Sequence, residues 1–302
     1  MQTRSNLGVG ASEIAAANGI SKYRSRYALW LEKTGRAPGF TGNVHTRLGQ
    51  LCEPHARQMY ANATGFDVIT PPCSEFHPEI PWARATPDGR IATDPLHLVQ
   101  IKCVGYFVGK RWHYEIPVDV LAQLQWEMFV TGAQRDDLAV LMGSDELEWE
   151  RFILGEINDP REVFERATME IFTIHRSDYD ISILLKGATE FMDLVWNDQQ
   201  PPIDDSAECR QFLSRKSGGT STIALDDIES AALVDQWGDA YFAHKKAVAA
   251  LETMKNRVRE RMGNLGANRI NTPAGPAIWS KRVDGTTQLR PPRGWSDWQE
   301  SE

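Results

Sequence analysis

A carboxylate, an amide and a lysine lie close together in residues 86–103, which read TPDGRIATDPLHLVQIKC. Asp88 sits in a Pro-Asp-Gly turn, and residues 98–103 have the composition of a short strand. Because side chains alternate along a strand, Gln100 and Lys102 share one face, and the residues between them form an apolar face that suits a core. Carboxylate and carbonyl oxygens are the ligands that hard divalent cations prefer. The stretch therefore predicts a polar site beside one buried strand.

Two predicted helices carry further polar candidates. The residues around Glu53 have a helical pattern, and Glu53 directly precedes Pro54, which places it at a kink or near a fresh helix N-terminus. Residues 118–131 have a stronger helical pattern, in which Gln123 and Glu127 are four apart and share a face. The order of helices and strands along the chain predicts an α/β fold, with a mixed sheet flanked by helices.

Five short motifs occur in order over roughly residues 4–200. They are LGVGASEIA at 7–15, Gly49-x-x-x-Glu53-Pro54, TPDG at 86–89, QIKC at 100–103, and LAQLQ at 121–125 with VTG at 130–132. In this order and at these spacings they resemble the phage lambda exonuclease and YqaJ-type viral recombinase family, a branch of the PD-(D/E)xK nuclease superfamily. Each motif alone is weak, and the resemblance rests on all five.

The resemblance implies a restriction-endonuclease-like core over residues 1–202, with a central mixed sheet flanked by helices. Residues 203–302 then form a C-terminal extension that resembles those of phage members more weakly. In that extension a 3.5-residue apolar period predicts a long helix from Asp226 or Asp227 to about Met262. A hairpin around 273–275 is predicted to follow it. The long helix is expected to pack on the core or another subunit, or else to contact a partner or DNA.

Three local predictions rest on pattern alone. Ser12 follows a glycine turn and is predicted to cap a short Ala-rich helix that ends at Gly19. Residues 148–153 are predicted to form a strand. Residues 160–196 are predicted to be helical, with a break near Ser177.

The resemblance also implies a metal site, because hydrolysis of a phosphodiester needs an activated water and neutralised phosphoryl oxygens. Mg²⁺ or Mn²⁺ would supply both. Lys102 would orient the water or help to deprotonate it, and would stabilise negative charge in the transition state. Gln123 would lie near the metal. The implied metal ligands are Glu53, Asp88, Gln100 and the backbone carbonyl of Ile101. The plainer alternatives are a turn aspartate, a helix glutamate, a solvated strand lysine and a surface amide.

A 5′-phosphate site is implied at the N-terminus of the chain. In the family a serine and a nearby arginine hold this phosphate, and here they correspond to Ser12 and Arg4. A phosphate at a helix N-terminus is physically reasonable. Arg24 and Arg26 are alternative contacts to the DNA backbone.

Gln100 departs from the family pattern, which has an acidic metal ligand, usually Glu, at this position. An amide oxygen can bind a cation but brings no charge, so metal binding and hydrolysis should weaken. Three explanations are open: an engineered Glu→Gln change that traps uncleaved DNA, a natural variant that still works, or a degenerate nuclease that only binds DNA ends.

The implied activity is a metal-dependent exonuclease that degrades duplex DNA from a 5′ end. It would leave a 3′ single strand for an annealing protein, and the resemblance implies a ring-shaped homotrimer. The alternatives are a non-catalytic protein that binds double-stranded DNA ends and an endonuclease of the same superfamily. An exonuclease needs a free end and spares closed circles, whereas a binding protein protects ends without consuming them.

Composition is consistent with a cytoplasmic DNA enzyme from a bacterial host or phage. The net charge is −8, but residues 1–50 carry seven Lys or Arg against two Glu. The sequence contains no membrane-length apolar run, no signal-peptide core and no C-x-x-C pair among its four cysteines. These features predict a reducing compartment and argue against a disulfide framework or a zinc knuckle.

Overall fold

The structure is a computed structural model that describes residues 8–39, 42, 44–143, 156, 167–216, 227–272, 275–281 and 286–291. Its contacts divide the chain into two compact units, Met1–Gly218 and Gly219–Glu302. The predicted extension began at 203, but residues 207–216 pack with the first unit. The division into an exonuclease core and an extension stays a prediction.

The helices of the first unit are α1 (Ile14–Ala17), α2 (Arg26–Lys33), α3 (Val44–Thr64), α4 (Tyr106–Trp112), α5 (Val118–Thr131), α6 (Asp178–Trp196) and α7 (Ala207–Lys216). Its strands are β1 (Val9–Gly10), β2 (Val68–Ile69), β3 (Glu75–Phe76), β4 (Ala83–Ala85), β5 (Gly89–Ile91), β6 (Asp94–Val104), β7 (Arg135–Met142) and β8 (Thr168–His175). A 3-10 helix, Ala11–Glu13, precedes α1.

The main sheet has five strands in the order β2-β5-β6-β7-β8. Its long central pair, β6 and β7, is parallel, whereas the other three pairings are antiparallel. A smaller sheet has the order β1-β4-β3. The mixed sheet with helices around it confirms the predicted α/β fold class.

Helices cover both faces of the main sheet. On one face, α5 buries Leu124 against Leu138 and Val140 of β7. On the other face, α3 buries Cys52 and Tyr60 in a cluster that includes buried residues of β6 and β7. The alternation predicted for β6 is therefore correct, although its polar face is covered by a helix as well.

A second apolar cluster surrounds the fully buried Trp126 of α5. It brings α1, α2 and α6 together, and the ring of Phe212 in α7 packs near the rings of Tyr27 and Trp30. This packing explains why α7 belongs to the first unit. No helix among the described residues is long and apolar enough to cross a membrane.

The second unit contains one long helix, α8 (Ile228–Asn264), which begins after the Asp227 cap as predicted. Three antiparallel strands follow: β9 (Arg269–Thr272), β10 (Gly275–Lys281) and β11 (Thr287–Arg290). The predicted hairpin is thus confirmed, with a third strand added to it.

Two local predictions are wrong, and one lies outside the described residues. Residues 168–175 form strand β8 rather than a helix, because this alternating stretch with β-branched residues pairs with β7. The predicted break near Ser177 is confirmed, since Ser177 caps the N-terminus of α6. Ser12 is not a cap, because the turn starts at Gly10 and Ser12 lies exposed within the 3-10 helix. The strand predicted at 148–153 falls outside the described residues.

Candidate active site

The site lies where β5 separates from β6. The two strands pair at Gly89–Val99 and Arg90–Leu98, and the chain preceding Gly89 no longer pairs with β6. Asp88, the residue at this point, accepts a hydrogen bond from the Ile101 backbone N–H at 2.9 Å. Its carboxylate therefore takes the place that a β5 carbonyl would occupy in a continued ladder.

Gln100 is the second group on Asp88. Its Nε2 donates to Oδ2 of Asp88 at 2.5 Å. The Gln100 side chain is buried, and its Oε1 has no hydrogen-bond partner among the described residues. A buried carbonyl oxygen without a donor is costly unless something else binds it.

Burial raises the pKa of Asp88 to about 6, and the carboxylate of Glu53 contributes in the same direction. The Lys102 ammonium and the Ile101 N–H act in the opposite direction but do not cancel the effect of burial. A carboxylate that is buried away from water is stabilised strongly in its ionised form by a nearby cation. Asp88 is therefore suited to binding a positive ion.

Glu53 comes from α3, on the opposite side of the sheet from α5. It forms an ion pair with Arg57 one turn later, and Arg57 Nε donates to the Asp88 backbone carbonyl at 3.2 Å. Arg57 therefore connects two of the predicted metal ligands, Glu53 and Asp88. The sequence prediction missed it, although its i,i+4 spacing from Glu53 is a usable signal.

The ligand atoms are of the type that a hard divalent cation prefers, because each candidate ligand offers an oxygen. The candidates are Asp88, Glu53, the Gln100 amide and the Ile101 carbonyl. The orphaned Gln100 oxygen is the observation that supports this fit. The set is poor in charge, and no group of three or more His, Cys, Asp or Glu in the described parts of the chain could hold a metal ion. Gln100 contributes an uncharged oxygen to the set, whereas a glutamate would bring a carboxylate.

Lys102 is fixed from the α5 side of the sheet. Its Nζ donates to Oε1 of Gln123 at 2.9 Å, and Nε2 of Gln123 donates to Oε1 of Glu127 at 2.9 Å. Lys102 and Gln123 were predicted to belong to the site, and the structure brings them together. Glu127 was predicted only to share a helix face with Gln123, and the nearby buried Asp136 was not predicted at all.

The described arginines that were predicted to contact DNA phosphates have partners outside the cluster around Asp88. Ser12 is exposed, and Arg4 lies outside the described residues. Arg24 forms ion pairs with Glu32 and, at 4.0 Å, with Glu13. Arg26, a remaining candidate, donates to the Gly187 carbonyl at 3.2 Å. Both described arginines therefore have protein partners.

Part of the chain is similar to a known protein family. Residues 2–134 match the model of the YqaJ-like viral recombinase domain. The matched range includes every predicted site residue, from Arg4 to Gln123, and ends just before β7.

The chain is also similar to a curated protein and to solved structures. The uncharacterized protein YqaJ of Bacillus subtilis (strain 168) is 24% identical over 233 residues, which are 74% of this chain and 65% of that protein. The chain thus spans 65% of the length of this relative, which is slightly less than two thirds. An alkaline exonuclease from Laribacter hongkongensis, LHK-Exo, in complex with dAMP, aligns with a TM-score of 0.50 and 22% identity, covering 70% of this chain and 94% of LHK-Exo. Another LHK-Exo crystal structure gives a TM-score of 0.49 with the same identity and coverage.

Proposed function

We propose that this protein is a metal-dependent DNA exonuclease that acts on duplex ends from the 5′ side in phage-type recombination. The observation that carries the proposal is the convergence on β6 of Asp88, Gln100 and Lys102 with Glu53 from α3 and Gln123 from α5. The similarity of residues 2–134 to the YqaJ-like viral recombinase domain and the likeness of the fold to LHK-Exo support it.

The ligands proposed for Mg²⁺ or Mn²⁺ are Asp88, Glu53, the Gln100 amide oxygen and the Ile101 carbonyl. A bound divalent cation would supply Lewis-acid activation of water and neutralise charge on the phosphoryl oxygens. The protein itself would hold these oxygen ligands at a buried edge of the sheet, where burial raises the pKa of Asp88.

Lys102 is proposed to orient the attacking water and stabilise the charge that develops on the phosphate. An ammonium has three N–H donors, and Gln123 uses one of them. In the proposed reaction, the water oxygen bonds to phosphorus, and the bond from phosphorus to the 3′ oxygen of the terminal nucleotide breaks. The water loses one proton and the leaving 3′ oxygen gains one, so it leaves as a hydroxyl group. The products are a 5′-mononucleotide and a strand shortened by one residue that again carries a 5′-phosphate.

A second function is favoured by one specific observation. The Gln100 amide already donates to Asp88, so the site holds together without a cation. This arrangement suits a protein that binds double-stranded DNA ends without cutting them. An endonuclease of the same superfamily is a further alternative within the same chemistry.

The partners belong to the proposal as well. A 3′ single strand left by the exonuclease would be taken up by a single-strand annealing protein, and the assembly would be a homotrimer around duplex DNA. For the 5′-phosphate we propose Ser12 and Arg4, with Arg24 and Arg26 near the DNA backbone. Neutralising phosphates makes such binding salt-dependent.

The test is digestion of a linear 5′-phosphorylated duplex in Mg²⁺, with a closed circular duplex as the control substrate. The proposal predicts nucleotide release from the linear duplex, none from the circle, and none with the Asp88→Asn variant. Cleavage of the circle would favour the endonuclease. Protection of ends without nucleotide release would favour the binding protein.

A further inference from the structure

A pair of carboxyl groups lies buried behind the candidate site and has no part in the mechanism above. Glu127 of α5 and Asp136 of β7 are both 0% exposed. Burial raises the pKa of each well above its ordinary value, and for Glu127 the neighbouring Asp136 is the next cause. The two carboxyl groups are close enough to interact electrostatically, and Oε2 of Glu127 and both oxygens of Asp136 are buried without a hydrogen-bond donor among the described residues. Two buried carboxyl groups side by side repel each other unless one of them keeps a proton, which the other can then accept.

The pair connects to Lys102 through one amide. Gln123 stands between Lys102 and Glu127, one turn before Glu127 on the same face of α5. Asp136 pairs in register with Leu98, so its side chain points to the face of the sheet that also carries Lys102. The four polar side chains therefore form a continuous row between α5 and the sheet.

The direction of the hydrogen bonds in this row is fixed from both ends. An ammonium can only donate, so the amide oxygen of Gln123 must face Lys102. The Glu127 oxygen that faces Gln123 accepts, so it selects the amide nitrogen. Both neighbours require the same orientation of the Gln123 amide.

We propose that the Glu127–Asp136 carboxyl pair is a positioning device for Lys102 that acts through Gln123. The role assigned to Lys102 rests on the proposed nuclease function. A lysine side chain is long and flexible, so a fixed acceptor restricts where its charge lies. Gln123 is such an acceptor only while Glu127 prevents its amide from turning over. Glu127 and Asp136 touch no reacting atom in this arrangement and act entirely through their neighbours.

A swap of the two side chains tests the direction of the hydrogen bonds. Glu127→Gln replaces a carboxylate, which can only accept from Gln123, with an amide that can either accept from it or donate to it, so the orientation of the Gln123 amide is no longer imposed. Gln123→Glu crowds a third carboxyl against the pair. The double variant restores the order, because the carboxylate at 123 accepts from Lys102 and the amide at 127 donates to it. We expect each single change to lower kcat about 10–100-fold with little change in KM for DNA ends. The double variant should recover at least about tenfold over the weaker single variant.

One further variant acts as a control. Glu190→Gln makes the same chemical change as Glu127→Gln on an exposed face of α6 and should have no effect. The parent is this chain or, if it only binds DNA, its Gln100→Glu version.

A second measurement does not depend on hydrolysis. The side-chain amide signal of Gln123 in a ¹H–¹⁵N NMR spectrum, identified by its loss in Gln123→Glu, should be protected from solvent exchange. Glu127→Gln should remove that protection, whereas Glu190→Gln should not.

The outcomes separate the two proposals. The positioning role is overturned if Glu127→Gln changes neither kcat nor amide protection, or if the double variant is no better than the single ones. A lower melting temperature with unchanged kcat would mean that the pair has only a structural role, which also overturns it. If neither parent hydrolyses DNA but Glu127→Gln still frees the amide, the hydrogen-bonded row is supported and the proposed nuclease function fails.

Discussion

The Gln100 side chain donates a hydrogen bond from its amide nitrogen to Oδ2 of Asp88 at 2.5 Å. A glutamate at this position would bring a second negative charge against Asp88, and only a cation or a proton could relieve the repulsion. The amide removes that need. Compared with a glutamate, the Gln100 amide therefore stabilises Asp88 without a metal and would give a cation one negative charge less.

Metal binding should depend on pH through Asp88. Burial raises the pKa of Asp88 from 3.8 to about 6, so between these values the folded chain holds a proton that the unfolded chain has released. The stability contributed by this group is full below pH 3.8 and declines as the pH rises through about 6. Mg²⁺ requires the ionised carboxylate, so the rise in melting temperature caused by Mg²⁺ should be larger at about pH 8 than at about pH 5.

Asp88→Asn is the matched control for this pH dependence, and it should show little Mg²⁺ effect at either pH. Equal Mg²⁺ stabilisation of the parent chain at both pH values would contradict the assignment of Asp88 as a metal ligand.

The buried carboxylate of Asp137 should be a large contributor to stability. It accepts hydrogen bonds from Tyr60 at 2.7 Å and Thr173 at 2.8 Å, and it pairs with Arg135 and His97. Burial alone would raise the pKa of Asp137, but the bonds from Arg135, Tyr60 and Thr173 bring it below its ordinary value. Asp137→Ala should cost about 3–5 kcal/mol in urea unfolding, because it leaves several buried partners unsatisfied.

Because the pKa of Asp137 is lowered on folding, its contribution is present above the unfolded pKa and lost as the pH falls through the folded value. The difference between Asp137→Ala and the parent should therefore shrink in acid. The exposed Glu190→Ala should change stability by less than about 0.5 kcal/mol. A similar loss in both variants would argue against a central role for Asp137.

A buried ion pair holds the first motif of the chain in place. Lys33 is 2% exposed, and its Nζ lies 2.8 Å from both carboxylate oxygens of Glu13. Burial lowers the pKa of Lys33, and Glu13 opposes this shift. Glu13→Gln should destabilise the protein by about 3–5 kcal/mol, because it leaves the lysine charge buried and poorly paired. Thermal or urea unfolding measures this loss.

Adding Lys33→Met to Glu13→Gln removes the stranded charge, so the double variant should regain a large part of the lost stability. A double variant that is less stable than Glu13→Gln alone would contradict this account, because methionine keeps most of the apolar length of lysine and lacks the charge.

The core of the site could be predicted from sequence because it is local. Asp88, Gln100 and Lys102 lie within one turn and one strand, and strand alternation fixes the side on which each one points. Gln123 was found through its motif and its helix. The long helix α8 was also predictable, since its cap and its period are both local signals.

The remaining features depend on tertiary contacts. Residues 168–175 carry enough apolar residues to suit either a helix or a strand, and pairing with β7 decides in favour of the strand. Asp136 lies 48 residues after Asp88 in the chain numbering, and only the parallel pairing of β6 and β7 brings it to the site face. The Gly10 start of the 3-10 helix likewise depends on Glu13, whose carboxylate accepts from the Gly10 N–H.

The most direct measurement compares this chain with its Gln100→Glu version on a linear 5′-phosphorylated duplex in Mg²⁺, followed by nucleotide release. One added charge near a cation is worth about 4 kcal/mol at 4 Å in a partly screened environment, so at least about tenfold faster release is expected from the Glu version. Removal of Mg²⁺ with a chelator should stop release in both. If neither protein releases nucleotides while both bind DNA ends, the account of a nuclease site at Asp88 and Lys102 is contradicted.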